Sequence, residues 1–484
     1  MTIPLLSSAF VCSLLAIWLW RQRRQPLARL PGPPVLPVIG SLPWINPSAL
    51  HETFRAFQRY GEFVRFTVFG NEFVLVYRPE HIKEVLVTNR DHYSKGPSYR
   101  RGMGPYLGNS LIVADDEEWK PQRALLQPLF TPSAMNRYVR VIESKSAALC
   151  THLDALLGER DAMQLQMSKE LRKVLLDFIG AVGFGHDFGA IEDVGVRQTR
   201  IVTAIDTCLE FSQIAGCGVP YFLFRPLVRR YEVEKAWIQG QIRQVIRGQG
   251  GANTILGCMQ ASARQPGNEW LTEENMIDQT FGFLLAGFDT TAHPIACILQ
   301  MLCEHPDVYA RLQAEIDACF DKHGGTLPAS FQALQAEFGY LDQINDETLR
   351  LFPSVPAVGR YTKVSTQIGG QAVPAGVTVI VPAISTHLDA QHWDQPEIFD
   401  PSRFATNRQP RVNGAPIFLP FVHGPRNCIG LYLSKLYTFI FVPLFLRHYQ
   451  VRLPDGVPKL AREHLRSRVT LTVTTGLPME IRRR

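Results

Sequence analysis

Phe421-Val-His-Gly424-Pro-Arg426-Asn-Cys428-Ile-Gly430 is the stretch from which the rest of the chain can be read. Glycine stands two positions after the cysteine, where a helix starts naturally. Loop amides together with a helix N-terminus favour a thiolate. Gly424 allows a tight backbone turn, and Gly430 lets a flat partner approach the backbone closely. Arg426, two residues before the sulfur, can pair with an anionic group on that partner. Phe421 supplies an aromatic wall. No other cysteine is close enough in sequence to suggest a disulfide or a four-ligand zinc site. One soft anionic ligand, a glycine-lined approach and a cation for a carboxylate describe a haem iron held by a proximal thiolate. Taken singly, a lone cysteine is more often a buried structural residue; here the spacing argues for the ligand.

A chain of 484 residues exceeds the usual single-core size, so two domains or one unusually large fold is expected. Hydrophobic residues make up 46% and charged ones 19%, which describes an ordered protein with an ample core. The net charge of +6 comes without an aromatic-interleaved basic tract. That argues against a nucleic-acid partner and fits a membrane surface or an acidic protein partner. Nine cysteines lie scattered with no CxxC pair, which reads as reduced thiols on the cytosolic side.

Ile3–Trp20 is almost wholly apolar, and Arg21-Gln-Arg23-Arg24 follows at once. Such a helix spans roughly 27 Å, enough for a thin bilayer core. A cleaved signal peptide would carry its positive charge before the apolar run and a small-residue cleavage site after it; neither is present. The arginines on the C-terminal side predict that the rest of the chain stays in the cytosol. Leu30-Pro-Gly-Pro-Pro-Val-Leu-Pro37 then resists helix and would hold a globular domain at a set angle. The expected division is a transmembrane anchor over 3–20, a basic and proline-rich hinge over 21–40, and one large domain over 41–484.

Within that domain, Phe63–Phe69 and Phe73–Tyr77 are β-rich runs joined at Gly70-Asn71, a hairpin signal. Pro79–Val87 reads as a short helix. Helical periodicity runs through 133–215, 231–248, 270–300, 305–320 and 340–352. Short strands are expected at Tyr361–Ile368, Val377–Val381 and Val469–Val473. The reading is a mostly α single unit with a small β region.

Three further motifs carry chemistry. Ala286-Gly-Phe-Asp289-Thr290-Thr291 interrupts a long apolar helix with an acid, hydroxyls and a glycine, against helix propensity. It is either a Thr-rich core turn or an acid–alcohol pair that delivers protons during oxygen activation. Glu347-Thr-Leu-Arg350 puts opposite charges at i, i+3 on one helix face, alone a weak signal. Leu351-Phe-Pro353 and Arg360 follow, and Pro401-Ser-Arg403-Phe404 comes further on. Trp119-Lys-Pro-Gln-Arg123 follows Asp115-Asp116, a good helix-capping start, with Trp119 and Arg123 on one face.

The cysteine loop, with these motifs in this order across nearly the whole chain, resembles the cytochrome P-450 family. The resemblance implies that family's mostly helical, triangular fold with an N-terminal transmembrane helix, and haem b between the oxygen-binding helix and the cysteine helix. It implies Cys428 as iron ligand, Asp289 and Thr290 as the acid and alcohol, and a buried triad of Glu347, Arg350 and Arg403. Trp119, Arg123, Arg360 and Arg426 would partner the propionates, with Phe421 and Gly430 beside the ring. The implied reaction inserts one atom of O2 into a hydrophobic small molecule, the other leaving as water. Electrons would come from NADPH through a membrane-bound reductase at the endoplasmic reticulum, with Lys120 and Lys435 as candidate docking cations. Ser434, Tyr437 and Pro443 depart from the family's usual pattern after Gly430. By analogy, the substrate would touch the loop around Ser98–Leu111, Phe283, Ala286, Ala357, Val358 and residues near His464–Ser467, which suits a terpenoid, sterol, fatty acid or polyketide. Arg100 and Arg101 hint at an acidic substrate, though paired arginines are more often solvated or propionate partners. The rivals are a reductase-independent haem-thiolate isomerase or dehydratase, and a catalytically silent membrane-tethered haem protein.

Overall fold

The computed structural model describes residues 27–192, 196–248, 251 and 253–484. The expected anchor over 3–20 and the basic start of the hinge lie outside the described residues. The proline-rich part of the hinge lies against the first strand: the Arg65 amide donates to the Pro31 carbonyl at 2.9 Å, and a Cβ on Gly32 would overlap the Arg65 carbonyl oxygen.

Strands β1 (Phe63–Val68) and β2 (Asn71–Val76) form the expected antiparallel hairpin. Its two turn residues, Phe69 and Gly70, both have positive φ (46° and 78°), the twist that a two-residue hairpin needs. With β3 (Tyr93–Ser94), β5 (Val358–Thr362) and β6 (Thr378–Val381) they make a sheet of order β1-β2-β6-β5-β3, in which β2 and β6 run parallel. The run read as helical over 133–215 is interrupted. Helix α2 (Val139–Leu157) gives way to strand β4 (Ala162–Gln166), followed by α3 (Met167–Ile179) and α4 (Val196–Gly216). β4 pairs with β8 (Pro478–Arg483), which also pairs with β7 (Tyr449–Arg452), so its partner lies over 300 residues away. A half-buried five-residue strand has no local signal strong enough to outweigh its helical flanks.

The other helices that frame the site are α1 (Asp116–Leu126), α5 (Arg225–Arg247), α6 (Glu273–Glu304), α7 (Pro306–Lys322), α8 (Phe331–Glu337), α9 (Gly339–Leu351) and α10 (Leu431–His448). Helix α6 starts where Thr272 accepts from the Asn275 amide at 3.2 Å, with Glu273 and Glu274 against the positive end of its dipole. Among the described residues it alone is long and apolar enough to cross a membrane, yet 78% of its apolar window is buried inside the protein. It is the core helix. Helix α10 runs on through Pro443, and Tyr437 is fully buried, its ring 5.1 Å from Phe178 and 5.6 Å from Phe441. Of the departures after Gly430, Tyr437 is thus absorbed in aromatic packing, while Ser434 lines the internal cavity.

Candidate active site

The loop over 421–430 is fixed by its backbone before any ligand is considered. Gly424 has φ +86°, and a Cβ there would lie 2.4 Å from the Leu86 carbonyl oxygen, so both conformation and space demand glycine. The Cys428 amide donates to the Phe421 carbonyl at 2.9 Å, closing the loop. Arg123, from α1, clamps Asn427 twice, to its carbonyl at 2.9 Å and its Oδ1 at 3.0 Å. Gly430 is the N-cap of α10, and its amide bonds to the Cys428 sulfur. Burial pushes the Cys428 thiol up; the Gly430 amide and Arg123 pull it down without cancelling that effect. A bound metal would deprotonate the thiol outright. Cys428 has accessible surface although it lies deep in the chain, because its sulfur opens onto an internal cavity.

Two walls face each other across that cavity. Cys428, Ile429, Gly430 and Leu433 form one; Phe283, Ala286, Gly287 and Thr290 of α6 form the other. The lining is largely apolar. Phe421, Leu111 and Val358 line it as expected, whereas Ala357 and the 464–467 segment do not. Phe178 and Ile179, which reach it from the end of α3, were not foreseen. Gly287 lets α3 come close, since a Cβ there would meet Ile179 Cδ1 at 2.8 Å. Arg100 and Arg101 do not reach this space. Arg100 binds Asp115 at 3.0 Å and Arg101 the Asn71 Oδ1 at 3.0 Å, so the hint of an acidic substrate is withdrawn.

Positive charge gathers around Arg426, which lines the cavity. Arg360 is buried and Lys95 half-buried, its ammonium 4.5 Å over the Tyr99 ring, and among the described residues no carboxylate stands within ion-pair distance of either. Burial lowers both, and Arg426 repels both; Arg360 adds its repulsion to Lys95. Arg426 is itself held by Asp116 at 2.8 Å and the Ala114 carbonyl at 3.0 Å, and stacks 4.7 Å over Trp119. Trp119 thus stacks against Arg426, and Arg123 holds the cysteine loop. Asp115, the expected cap, makes no side-chain cap bond and instead accepts from the Lys95 amide and Arg100. Unpaired cations in a dry site are costly unless an anion joins them. An internal thiol on an apolar cavity, with Arg426 in its lining and Lys95 and Arg360 near that guanidinium, fits haem and its two propionates. Lys95 had no sequence signal beyond a basic residue before Gly96-Pro97.

Asp289 and Thr290 are adjacent in sequence but face opposite ways. Thr290 lines the cavity and its hydroxyl donates to the Ala286 carbonyl at 2.5 Å. Asp289 points across α6 into a second cavity, where Arg172 lies at 3.2 Å and the Thr470 hydroxyl donates at 2.6 Å. Arg172 also holds Asp206 at 2.7 Å, and Asp206 in turn holds Arg468 at 2.8 Å.

Glu347, Arg350 and Arg403 lie together. The wholly buried Arg350 makes two 2.7 Å bonds to Glu347 and donates to the carbonyls of His387, Pro396 and Ile398. Glu347 also accepts from the Asp400 amide at 2.9 Å, with Arg403 at 3.5 Å. Lys435 is not a free docking cation: it is mostly buried and paired with Asp342 at 2.7 Å and Asp346 at 3.3 Å, tying α10 to α9. Lys120 is exposed.

Fold and site together define a haem-thiolate oxidoreductase. Residues 30–477 match the family model described as Cytochrome P450. The chain is 30% identical to cytochrome P450 3A29 of Sus scrofa, over 83% of this chain and 81% of that protein. It is 26% identical to lithocholate 6-beta-hydroxylase of Mesocricetus auratus (87% and 85% covered) and 27% identical to probable cytochrome P450 4aa1 of Drosophila melanogaster (94% and 90%). A crystal structure of the cytochrome P450DA heme domain superposes with a TM-score of 0.81 at 21% identity, covering 94% of this chain and 98% of that one, a likeness of fold. The chain belongs to the cytochrome P450 family. It is a haem-thiolate monooxygenase that takes haem b, O2, electrons from a redox partner and a hydrophobic substrate.

Proposed function

We propose that this chain hydroxylates or epoxidises a neutral, hydrophobic small molecule of lipid or secondary metabolism, with electrons from NADPH delivered by a membrane-bound reductase. The observation that carries the reading is the Cys428 sulfur opening onto an apolar cavity shared with α6, with Arg426 in its lining and, among the described residues, no carboxylate at ion-pair distance from the neighbouring cations Lys95 and Arg360. Haem, when bound, supplies the activation of O2 that lets one oxygen atom enter an unreactive bond while the other leaves as water. Cys428 would hold the iron, with its direction set by the Arg123–Asn427 clamp. Lys95, Arg360 and Arg426 would take the propionates, Trp119 keeping Arg426 in place, and Phe421 and Gly430 would lie against the ring. Glu347, Arg350 and Arg403 would fix the segment that leads into the loop.

Thr290 would pass protons into the cavity through its hydroxyl, whose lone pairs stay available while it donates to Ala286. Asp289 would supply them from the far side of α6 once it lets go of Arg172. That pair favours the monooxygenase over a peroxide-consuming isomerase or dehydratase. The apolar lining, with no charged side chain except Arg426, favours a neutral substrate. Anchoring by 3–20 in the endoplasmic reticulum membrane, with the catalytic domain cytosolic, accords with the sequence of that segment, and exposed Lys120 is offered to an acidic reductase face.

The test is a carbon monoxide difference spectrum of the reduced protein and its Cys428→Ala variant. A thiolate-type Soret shift in the parent that vanishes in the variant is expected. Retained turnover without the sulfur would remove the assignment.

A further inference from the structure

Away from the haem cavity, the end of α7 meets the end of α8. Cys319 in the last turn of α7 and His323 at its C-cap stand at i, i+4 and come together in space. The chain then turns through Gly324 and Gly325, both at positive φ (63° and 81°), and returns so that Glu337, the last residue of α8, lies against them. The Cys319 sulfur, a ring nitrogen of His323 and a carboxylate oxygen of Glu337 all lie within 4.8 Å of one another. Cys319 is buried, and His323 and Glu337 are partly so. His323 Nε2 is 3.2 Å from Glu337 Oε1, and Lys322 Nζ donates to the same oxygen at 2.6 Å.

We propose that Cys319, His323 and Glu337 bind a zinc ion. The donor set decides the class: one thiolate, one imidazole and one carboxylate suit zinc, whereas magnesium and calcium want oxygen alone. With bonds of about 2.0–2.3 Å, tetrahedral ligand atoms stand roughly 3.3–3.8 Å apart. The three atoms must close by at most about 1 Å, within reach of side-chain rotation at two partly exposed residues. Zinc would displace the Cys319 thiol proton to solvent, and water would take the fourth position. Lys322 is mostly exposed and can keep Oε1 or swing away.

The ion would join two helices that both pack on α10, the helix that carries the cysteine loop. It would brace the outer side of that helix without touching the haem cavity, since none of its three ligands lines that space. The site is thus structural, and oxidation of substrate does not pass through it.

The experiment is equilibrium dialysis of untagged holoenzyme against micromolar zinc chloride, with metal content by mass spectrometry. Magnesium chloride is the control. About one zinc per chain is expected in the parent, and none at this site in His323→Asn or Glu337→Gln, which sit at the surface edge and leave the core intact. Cys319→Ser serves as a third variant. Zinc should also raise the unfolding temperature of the parent and leave the variants unmoved, while the reduced carbon monoxide spectrum stays the same in all. Equal zinc content in parent and variants, or no zinc in the parent, would mean an ion-pair cluster only and would overturn the proposal.

Discussion

Replacing Arg350 by lysine keeps one positive charge in the core and removes the planar fork. In the parent, five donor contacts leave this guanidinium: two to Glu347 and three to the carbonyls of His387, Pro396 and Ile398. A single ammonium on a shorter, flexible stem can serve at most three acceptors and cannot reach Glu347 bidentately. At least two charge-assisted bonds are lost, each worth about 1.5–3 kcal/mol. A buried pair opened completely on one side costs about 3–5 kcal/mol. The expected loss is therefore about 3–5 kcal/mol, a large share of a typical total of about 5–15 kcal/mol. Glu347→Gln should cost less, because the carbonyl contacts of Arg350 survive. Urea unfolding of the holoprotein, followed in parallel by far-ultraviolet circular dichroism and by the thiolate Soret band, measures both. An Arg350→Lys curve within about 0.5 kcal/mol of the parent would refute the claim that this side chain organises the segment leading to Cys428.

Thr290→Ala should keep haem content and substrate binding but lower product formed per NADPH consumed, read by product and peroxide yields; unchanged coupling would show that the hydroxyl carries no proton. His387 is buried, accepts from the Leu419 amide at 2.7 Å, and is pushed down to about 3, while buried His293 is pushed down to about 4. Both stay neutral when folded but gain a proton when unfolded below their ordinary value. Stability should therefore be complete above about pH 6.5 and fall as pH drops towards 4, each contributing up to about 1.4 kcal/mol per pH unit. His387→Gln, which keeps an acceptor for Leu419, should flatten that slope by one proton in urea midpoints measured from pH 7 to 4.5. Lys95→Met should act with opposite sign on the two forms: haem dissociates faster, while the haem-free chain unfolds at higher denaturant because a half-buried cation facing Arg360 and Arg426 is gone. Haem transfer to an acceptor globin and apoprotein unfolding would read the two effects.

Local chemistry was legible in the sequence where partners are close along the chain. The hairpin at 63–76, the long helix through Ala286–Thr291 and the i, i+3 pair at Glu347 and Arg350 each follow from spacing over a few residues. Strand β4 was not legible because its pairing partner is the C-terminal strand. Lys95 was missed for the same reason: its importance comes from Arg360 and Arg426, brought to it by the sheet and the cysteine loop. Charge signs alone also misplaced Lys435, because Asp342 and Asp346 are its partners only once α9 packs on α10. The acid–alcohol motif names two residues, but a helix turns about 100° between them, so neighbours in sequence face different cavities.

The outward turn of Asp289 has a consequence for how traffic through the enzyme is arranged. The cavity it faces carries Arg172, Asp206 and Arg468, while the Thr290 side is apolar and receives the substrate. If Asp289 is the acid, fuel protons and organic cargo enter by separate doors on opposite flanks of one helix. A bulky substrate that fills its own chamber would then leave the proton supply unobstructed, and solvent isotope effects on turnover should stay nearly constant across substrates of different size.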